Sequence, residues 1–130
     1  MKSILLIEDN AEIRDNLKEY LEMEGYRIYA TNQGKMGNEM ALQYIPDLII
    51  CDMPEPGIDG HEVLRLLLKT TTTCEIPFIF CTTLNETFNR TDALALGADD
   101  YIVKPFELDD VLAMIKYCIR FGSKRRKLVF

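Results

Sequence analysis

The chain has 130 residues, of which 48% are hydrophobic and 28% charged, with a formal net charge of −6. That length suits one domain with room for a real core, and the composition is that of an ordinary folded protein. The acidic balance argues against a general nucleic-acid or anionic-membrane surface. No apolar run approaches the ~18–20 residues needed to cross a bilayer. Met1-Lys2-Ser3 runs straight into a strand-like segment with no small-residue cleavage site, so no signal peptide is expected and the cytoplasm is the expected location.

Taken in order, Ser3 to Ile7 is an apolar run that predicts a first strand, interrupted by Glu8-Asp9-Asn10. Asn10 is an N-cap residue for a first helix whose stripe is Ile13, Leu17, Tyr20 and Leu21, and Gly25 ends it. Tyr26 to Thr31 is β-branched and aromatic and predicts strand two. Met36, Met40, Ala41 and Tyr44 suggest a second helix, weakened by Gly34 and Gly37 and closed by Pro46. Leu48 to Asp52 is strand three, and Gly60 to Lys69 is helix three with Val63, Leu64, Leu67 and Leu68 on one face. Thr70 to Thr73 reads as loop. Phe78 to Thr82 is strand four, Glu86 to Leu96 helix four, ended by Gly97, and Tyr101 to Val103 strand five. Helix five runs from Leu108 to about Phe121 on Val111, Leu112, Ile115 and Ile119.

Five strands alternating with five helices imply an α/β domain with a parallel sheet covered on both faces. The continuous apolar strands fit, because parallel strands are buried on both sides. Residues 1–121 form the expected domain. The basic end, 122–130, reads either as a solvated segment complementing the carboxyl end of helix five or as the start of a linker to an output domain. Cys51, Cys74, Cys81 and Cys118 form no C-x-x-C pair and read as small hydrophobes in a reducing compartment. His61 reads as a surface or half-buried residue. With one histidine in the chain, a zinc site is not expected.

The strand ends concentrate the chemistry. Strand one delivers Glu8 and Asp9, strand three Asp52, strand four Thr82 and strand five Lys104, all at the carboxyl edge where open α/β sheets bind ligands. Taken singly, Glu8 and Asp9 could merely cap a helix, Thr82 could be an ordinary strand residue and Lys104 a solvated lysine. Their convergence is what argues for a site. Two unit charges ~4 Å apart repel by about 4 kcal/mol at an effective dielectric of 20. Three neighbouring carboxylates therefore call for a proton or a cation, and hard oxygen ligands suit Mg²⁺. Such an ion, a lysine and a hydroxyl can together neutralise a phosphoryl group. The Asp52 carboxylate can accept that group as a mixed anhydride.

The pieces Ile4-Leu5-Leu6-Ile7-Glu8-Asp9, Pro46 to Asp52, Pro56 with Ile58-Asp59-Gly60, Pro77 to Thr82, and Gly97 to Phe106, in this order and spacing, resemble a receiver domain of two-component response regulators. The resemblance implies a flavodoxin-like (βα)5 three-layer sandwich with strand order 2-1-3-4-5. It implies that Asp52 is phosphorylated by a histidine kinase or histidine phosphotransfer protein, and that Mg²⁺ is held by Asp9, Asp52 and the backbone carbonyl of Pro54, with Glu8 acting through water. Thr82 and Lys104 would contact the phosphoryl group, and Lys104-Pro105 would be cis. Thr82 and Tyr101 would then act as the switch, altering the helix-four, strand-five, helix-five face. That face would meet a downstream protein target or output domain, as a monomer or a phosphorylation-dependent dimer, with no direct nucleic-acid or membrane contact. Met114 stands where DNA-binding members that dimerise through this face often carry arginine, which weakens the dimer expectation.

The family pattern is not followed everywhere. Glu55 replaces an apolar residue and is expected to point to solvent. Thr83 replaces a smaller residue and could narrow access to Asp52. Pro54 and Leu84 lack the polar groups that orient water in fast-dephosphorylating members, so slow self-dephosphorylation is expected. A phosphohydrolase of the haloacid dehalogenase type needs an aspartate where Pro54 stands, so no enzyme activity on small phosphoesters is expected. A nucleotide-binding Rossmann domain needs glycines where Glu8-Asp9-Asn10 stands. The remaining alternative is a receiver-like binding module that signals without phosphorylation.

Overall fold

The computed structural model describes residues 1–52, 59–83 and 90–123. The elements in order are β1 (Ser3–Ile7), α1 (Ala11–Met23), β2 (Arg27–Thr31), α2 (Gly34–Tyr44), β3 (Leu48–Asp52), α3 (Gly60–Leu68), β4 (Phe78–Thr83), α4 (Arg90–Ala95), β5 (Asp100–Lys104) and α5 (Leu108–Phe121). All five strands are parallel, in the order β2-β1-β3-β4-β5. This is the expected flavodoxin-like arrangement. Its order reverses at the β1–β3 pair, so the connections leaving these two adjacent strands run to opposite sides of the sheet.

The period-two alternation of the strands sorts the core into two layers. Leu5, Ile7, Ile49, Cys51, Phe78, Phe80 and Tyr101 pack with Ala41 of α2, Val63, Leu64 and Leu67 of α3, and Ala93 of α4. Ile4, Leu6, Leu48, Ile50, Ile79, Cys81 and Ile102 pack with Leu17 and Leu21 of α1 and with Val111, Leu112, Ile115 and Cys118 of α5. Each fully buried aliphatic side chain contributes roughly 1.5–3 kcal/mol. β3 is buried at all five positions, so the middle of the sheet fixes the register of the rest.

Helix α1 starts where expected, with the Asn10 side chain accepting from the Ile13 N–H at 2.9 Å. Ile13 and Tyr20 are only half-buried, and the buried stripe is Leu17 and Leu21. The Tyr20 hydroxyl instead donates to Asp109 Oδ1 at 2.8 Å and ties α1 to α5. That bond pushes the phenol up to about 12. Tyr26 falls outside β2 because its N–H closes the end of α1 on the Leu21 carbonyl, after Gly25 at φ +96°.

Other boundaries also move. β4 extends to Thr83 and β5 from Asp100 to Lys104, while α3 ends at Leu68. The threonine run is a hydrogen-bonded turn rather than open loop: Thr73 is buried and its hydroxyl donates to the Leu67 carbonyl at 2.7 Å. In α2, Met36 and Tyr44 are exposed, and Tyr44 stacks on Tyr29 with ring centroids 4.1 Å apart. The helix ends at Tyr44, and Ile45, forced out of the helical region by Pro46, takes a left-handed conformation at φ 44°. Helix four is described only from Arg90 onward; the expected start at Glu86 lies outside the described residues.

Beyond α5 the chain turns inward. Gly122 has φ +73°, and Ser123 is fully buried, its hydroxyl donating to Asp99 Oδ1 at 3.1 Å. Asp99 Oδ2 accepts from the Phe78 N–H at 2.9 Å, which links the exit of α5 to the start of β4. Ser123 is thus packed inside the body, although it lies beyond the boundary expected at residue 121.

Gly37, which weakened the helix prediction, is required by the packing. A Cβ there would run into Ile7 Cδ1 and come within 2.8 Å of Ile7 Cγ1, so a side chain at this point would force the buried Ile7 side chain or α2 to shift. Overpacking of this kind costs ~1–3 kcal/mol, against a helix-propensity gain of up to ~1 kcal/mol. Gly37→Ala is therefore expected to lower stability in urea titrations. In the Ile7→Val background, which removes Cδ1, the same substitution should cost less; an equal cost in both backgrounds would contradict the contact.

Candidate functional site

Four strands end on one edge of the sheet with polar residues. After β1 the ladder continues one step, because the Glu8 N–H donates to the Thr31 carbonyl at 3.0 Å. This draws the Glu8 side chain into the body, where it is 1% exposed. β3 ends with Asp52, also 1% exposed. β5 ends with Lys104, and the cis Lys104-Pro105 bond follows, as expected. The Lys104 ammonium sits 2.8 Å from Glu8 Oε1, 3.0 Å from Glu8 Oε2 and 3.1 Å from Asp52 Oδ1. A single half-buried lysine thus bridges two buried carboxyl groups from two other strands.

The electrostatics follow from that count. Two carboxyls share one lysine, so the site lacks positive charge. Burial pushes the Asp52 carboxyl up to about 7, with the hydrogen bond and charge of Glu8 acting in the same direction and Lys104 opposing them. Burial alone would pull the Lys104 ammonium down; the hydrogen bonds and charges of Glu8 and Asp52 outweigh it and raise its pKa. Burial also raises the thiols beside the site, Cys51 and Cys81, and none of the four cysteines is in a disulfide. They are packing groups, as their isolated positions in the sequence suggest.

Asp9 follows Glu8 and is exposed. Thr82, near the end of β4, is buried and pairs across the sheet with Val103, while Thr83 beyond it is exposed opposite Lys104. Tyr101 is 9% exposed and packs in the layer that holds Phe80, Ala93 and Ala98. His61 is exposed, its ring edge-on to Phe80. Glu8, Asp52 and Lys104 are therefore joined by direct contacts, and Asp9 and Thr82 stand on the same edge. Pro54, Glu55 and Leu84 lie outside the described residues. Among the described residues no group of three His, Cys, Asp or Glu side chains is closed around a metal position.

One residue at this edge was not evident from the sequence. Arg14, on the second turn of α1, reaches back so that its Nη1 donates to the Glu8 backbone carbonyl at 3.0 Å. The only sequence signal is its sign. A cation near the amino end of a helix opposes the helix dipole, and needs a compensating contact.

Residues 4–116 match the family described as response regulator receiver domain. The chain belongs to that family. As a receiver domain it is 38% identical over 120 residues to the response regulator ArlR of Staphylococcus epidermidis, covering 92% of this chain and 53% of that protein. It is 35% identical over 120 residues to the DNA-binding dual master transcriptional regulator RpaA of Synechocystis, covering 92% of this chain and 50% of that protein. The chain spans about half the length of these relatives. Among solved structures, the signal receiver domain of a signal transduction histidine kinase from Syntrophus aciditrophicus superposes with a TM-score of 0.83 at 30% identity, covering 92% of this chain and 91% of that one. Glu8 and Asp52 are buried acids at the carboxyl edge of this chain's sheet.

The Asp52 pKa has a consequence for stability. The folded value, about 7, lies above the ordinary carboxylate value of 3.8, so the folded receiver binds the proton more tightly than the unfolded chain does. Without added divalent ions, stability should fall as pH rises from about 4 to about 7, then level off. Asp52→Asn removes the buried charge and should raise Tm at pH 8 in EDTA, with the gain shrinking toward pH 5. Parallel Tm curves for the two proteins across that range would contradict the assignment.

Proposed function

We propose that Asp52 is the phosphoryl acceptor of this receiver domain, served by a partner phosphohistidine. The observation that carries this reading is the Lys104 ammonium held between Glu8 and Asp52 at the strand ends. In the step, an Asp52 carboxylate oxygen bonds to phosphorus as the histidine N–P bond breaks, and the released imidazole takes a proton. Lys104 offsets charge on the phosphoryl oxygens, and the Thr82 hydroxyl donates to one of them. Asp52 must be ionised to act, and a pKa near 7 leaves it partly protonated.

The donor set fits Mg²⁺. It consists of hard carboxylate oxygens, and the carboxyl of Asp52 is pushed up to about 7 by burial and by the neighbouring Glu8. Asp9 and Asp52 would hold the ion with the Pro54 carbonyl, and Glu8 would act through water; when bound, the ion lowers the Asp52 pKa and neutralises phosphoryl charge. Asp9 is the ligand left open to solvent, which keeps a path to the site from outside.

The partner that supplies the phosphoryl group is a histidine kinase or a histidine phosphotransfer protein, consistent with the two-component family. Residues 1–121 would act as the receiver, with 122–130 leading to an output domain, or the domain would act on a separate protein target. Signalling would be by protein contact through α4, β5 and α5. Tyr101 already sits in the buried position within that region, and Thr82 lies one strand away. Phosphorylation adds roughly −1.5 to −2 charge beside Thr82 and shifts the equilibrium between two arrangements of this face. The domain is a phosphoacceptor rather than a turnover enzyme on small phosphoesters, as Pro54 leaves no acid/base group two residues after Asp52. The reading places it in the cytoplasm, and no helix among the described residues is long and apolar enough to cross a membrane.

Acetyl phosphate with Mg²⁺ should add one phosphoryl group to the wild-type chain and none to Asp52→Asn, read by intact-protein mass spectrometry. After removal of acetyl phosphate the adduct should persist for minutes or longer, because Pro54 and Leu84 offer no side chain to orient water. No addition to wild type, or equal addition to Asp52→Asn, defeats the reading. Loss of the adduct within seconds defeats the slow-decay expectation alone.

A further inference from the structure

The turn after β1 presents Glu8 and Asp9 differently. The Glu8 carboxyl is held from several directions, by Lys104 and by the Asn10 N–H, which donates to Oε2 at 3.0 Å. Its N–H is held by the Thr31 carbonyl. The Asp9 side chain is exposed, and no hydrogen bond or ion pair among the described residues holds it. Its direction is therefore set by the backbone, and above all by the peptide joining Glu8 to Asp9. The carbonyl of that peptide is the group gripped by Arg14 Nη1 at 3.0 Å. Arg14 is itself half-buried and fixed on α1, where its own N–H donates to the Asn10 carbonyl at 2.9 Å.

We infer that Arg14 is a positioning residue for the divalent-cation site: its guanidinium fixes the Glu8-Asp9 peptide plane and so aims the Asp9 carboxylate at the ion. This rests on the reading above, in which Asp9 and Asp52 hold Mg²⁺. A hydrogen bond one shell away from a ligand matters because a metal gains from a ligand only when the ligand is already oriented. Arg14 makes this contact through the backbone, so the chemistry of the Asp9 side chain stays available to the metal.

Charge gives the inference a sign that other roles do not share. Arg14 is a cation close to a cation site, so by charge alone its removal should tighten Mg²⁺ binding. A residue that merely stabilises α1 should leave the affinity of the folded protein unchanged. Positioning alone predicts weaker binding on removal, and loss of such an orienting bond weakens metal affinity by roughly tenfold or more.

The test is calorimetric titration of Mg²⁺ into wild type, Arg14→Gln, Arg14→Lys and Asp9→Asn, with thermal unfolding measured alongside. The expected order of Kd is wild type tightest, Arg14→Lys intermediate and Arg14→Gln weaker by roughly tenfold, with Asp9→Asn losing most binding. Should Arg14→Gln fail to fold, the comparison of wild type with Arg14→Lys decides, since the shorter amine still carries the charge. Unchanged or tighter binding in the Arg14 variants, with Asp9→Asn impaired, overturns the inference and leaves the phosphoacceptor reading standing. No Mg²⁺ binding by wild type, or full binding by Asp9→Asn, is a failure of that reading's cation site itself.

Discussion

The structure turns on one ammonium, that of the half-buried Lys104. Lys104 reaches across the carboxyl edge of the sheet to two acids that lie 96 and 52 residues away in the chain. A lysine buried without partners would be driven to lose its proton, and two buried acids without a cation would be driven to take one up. Together they persist as charged or proton-sharing groups at a cost that the surrounding core offsets. The cost is visible in Asp52, whose carboxyl is pushed up to about 7. Functional sites commonly carry such a deficit, because a group that is uncomfortable in the resting protein has something to gain from a ligand.

The rest of the fold serves to hold that edge still. β3 is buried at every position and places Asp52 by register against β4. β1 lies beside it, and α2 lies close against β1 because Gly37 leaves room for Ile7. The turn after β1 is fixed by the N–H of Glu8 on one side and by Arg14 on the other. On the far edge, Asp99 collects the start of β4 and the exit of α5 into one buried contact. That contact anchors β4 and α5 at the edge of the sheet opposite the site.

Much of this was legible in the sequence because it follows from local pattern. Apolar runs ending in Glu8, Asp52, Thr82 and Lys104 identify strand ends, and strand ends in a parallel sheet share one edge. The Asn10 cap and Gly25 gave the limits of α1 for the same reason. What the sequence concealed depends on contacts between distant segments. Gly37 reads as a helix weakener until Ile7 lies against it. Thr73 reads as loop until its hydroxyl meets the Leu67 carbonyl, and Ser123 reads as tail until it meets Asp99. Arg14 is a charged helix residue like many others until its reach to the Glu8 carbonyl is seen.

Asp52 is a buried carboxyl whose affinity for a proton is raised by burial and by Glu8 against the opposing pull of Lys104. Titrating the side-chain carboxyl carbons by NMR measures this directly, with Asp52 assigned by its loss in Asp52→Asn. Without divalent ions Asp52 should titrate near the value of about 7 set by burial and Glu8, and saturating Mg²⁺ should move it downward. A value near the ordinary 3.8, unaffected by Mg²⁺, would contradict the account.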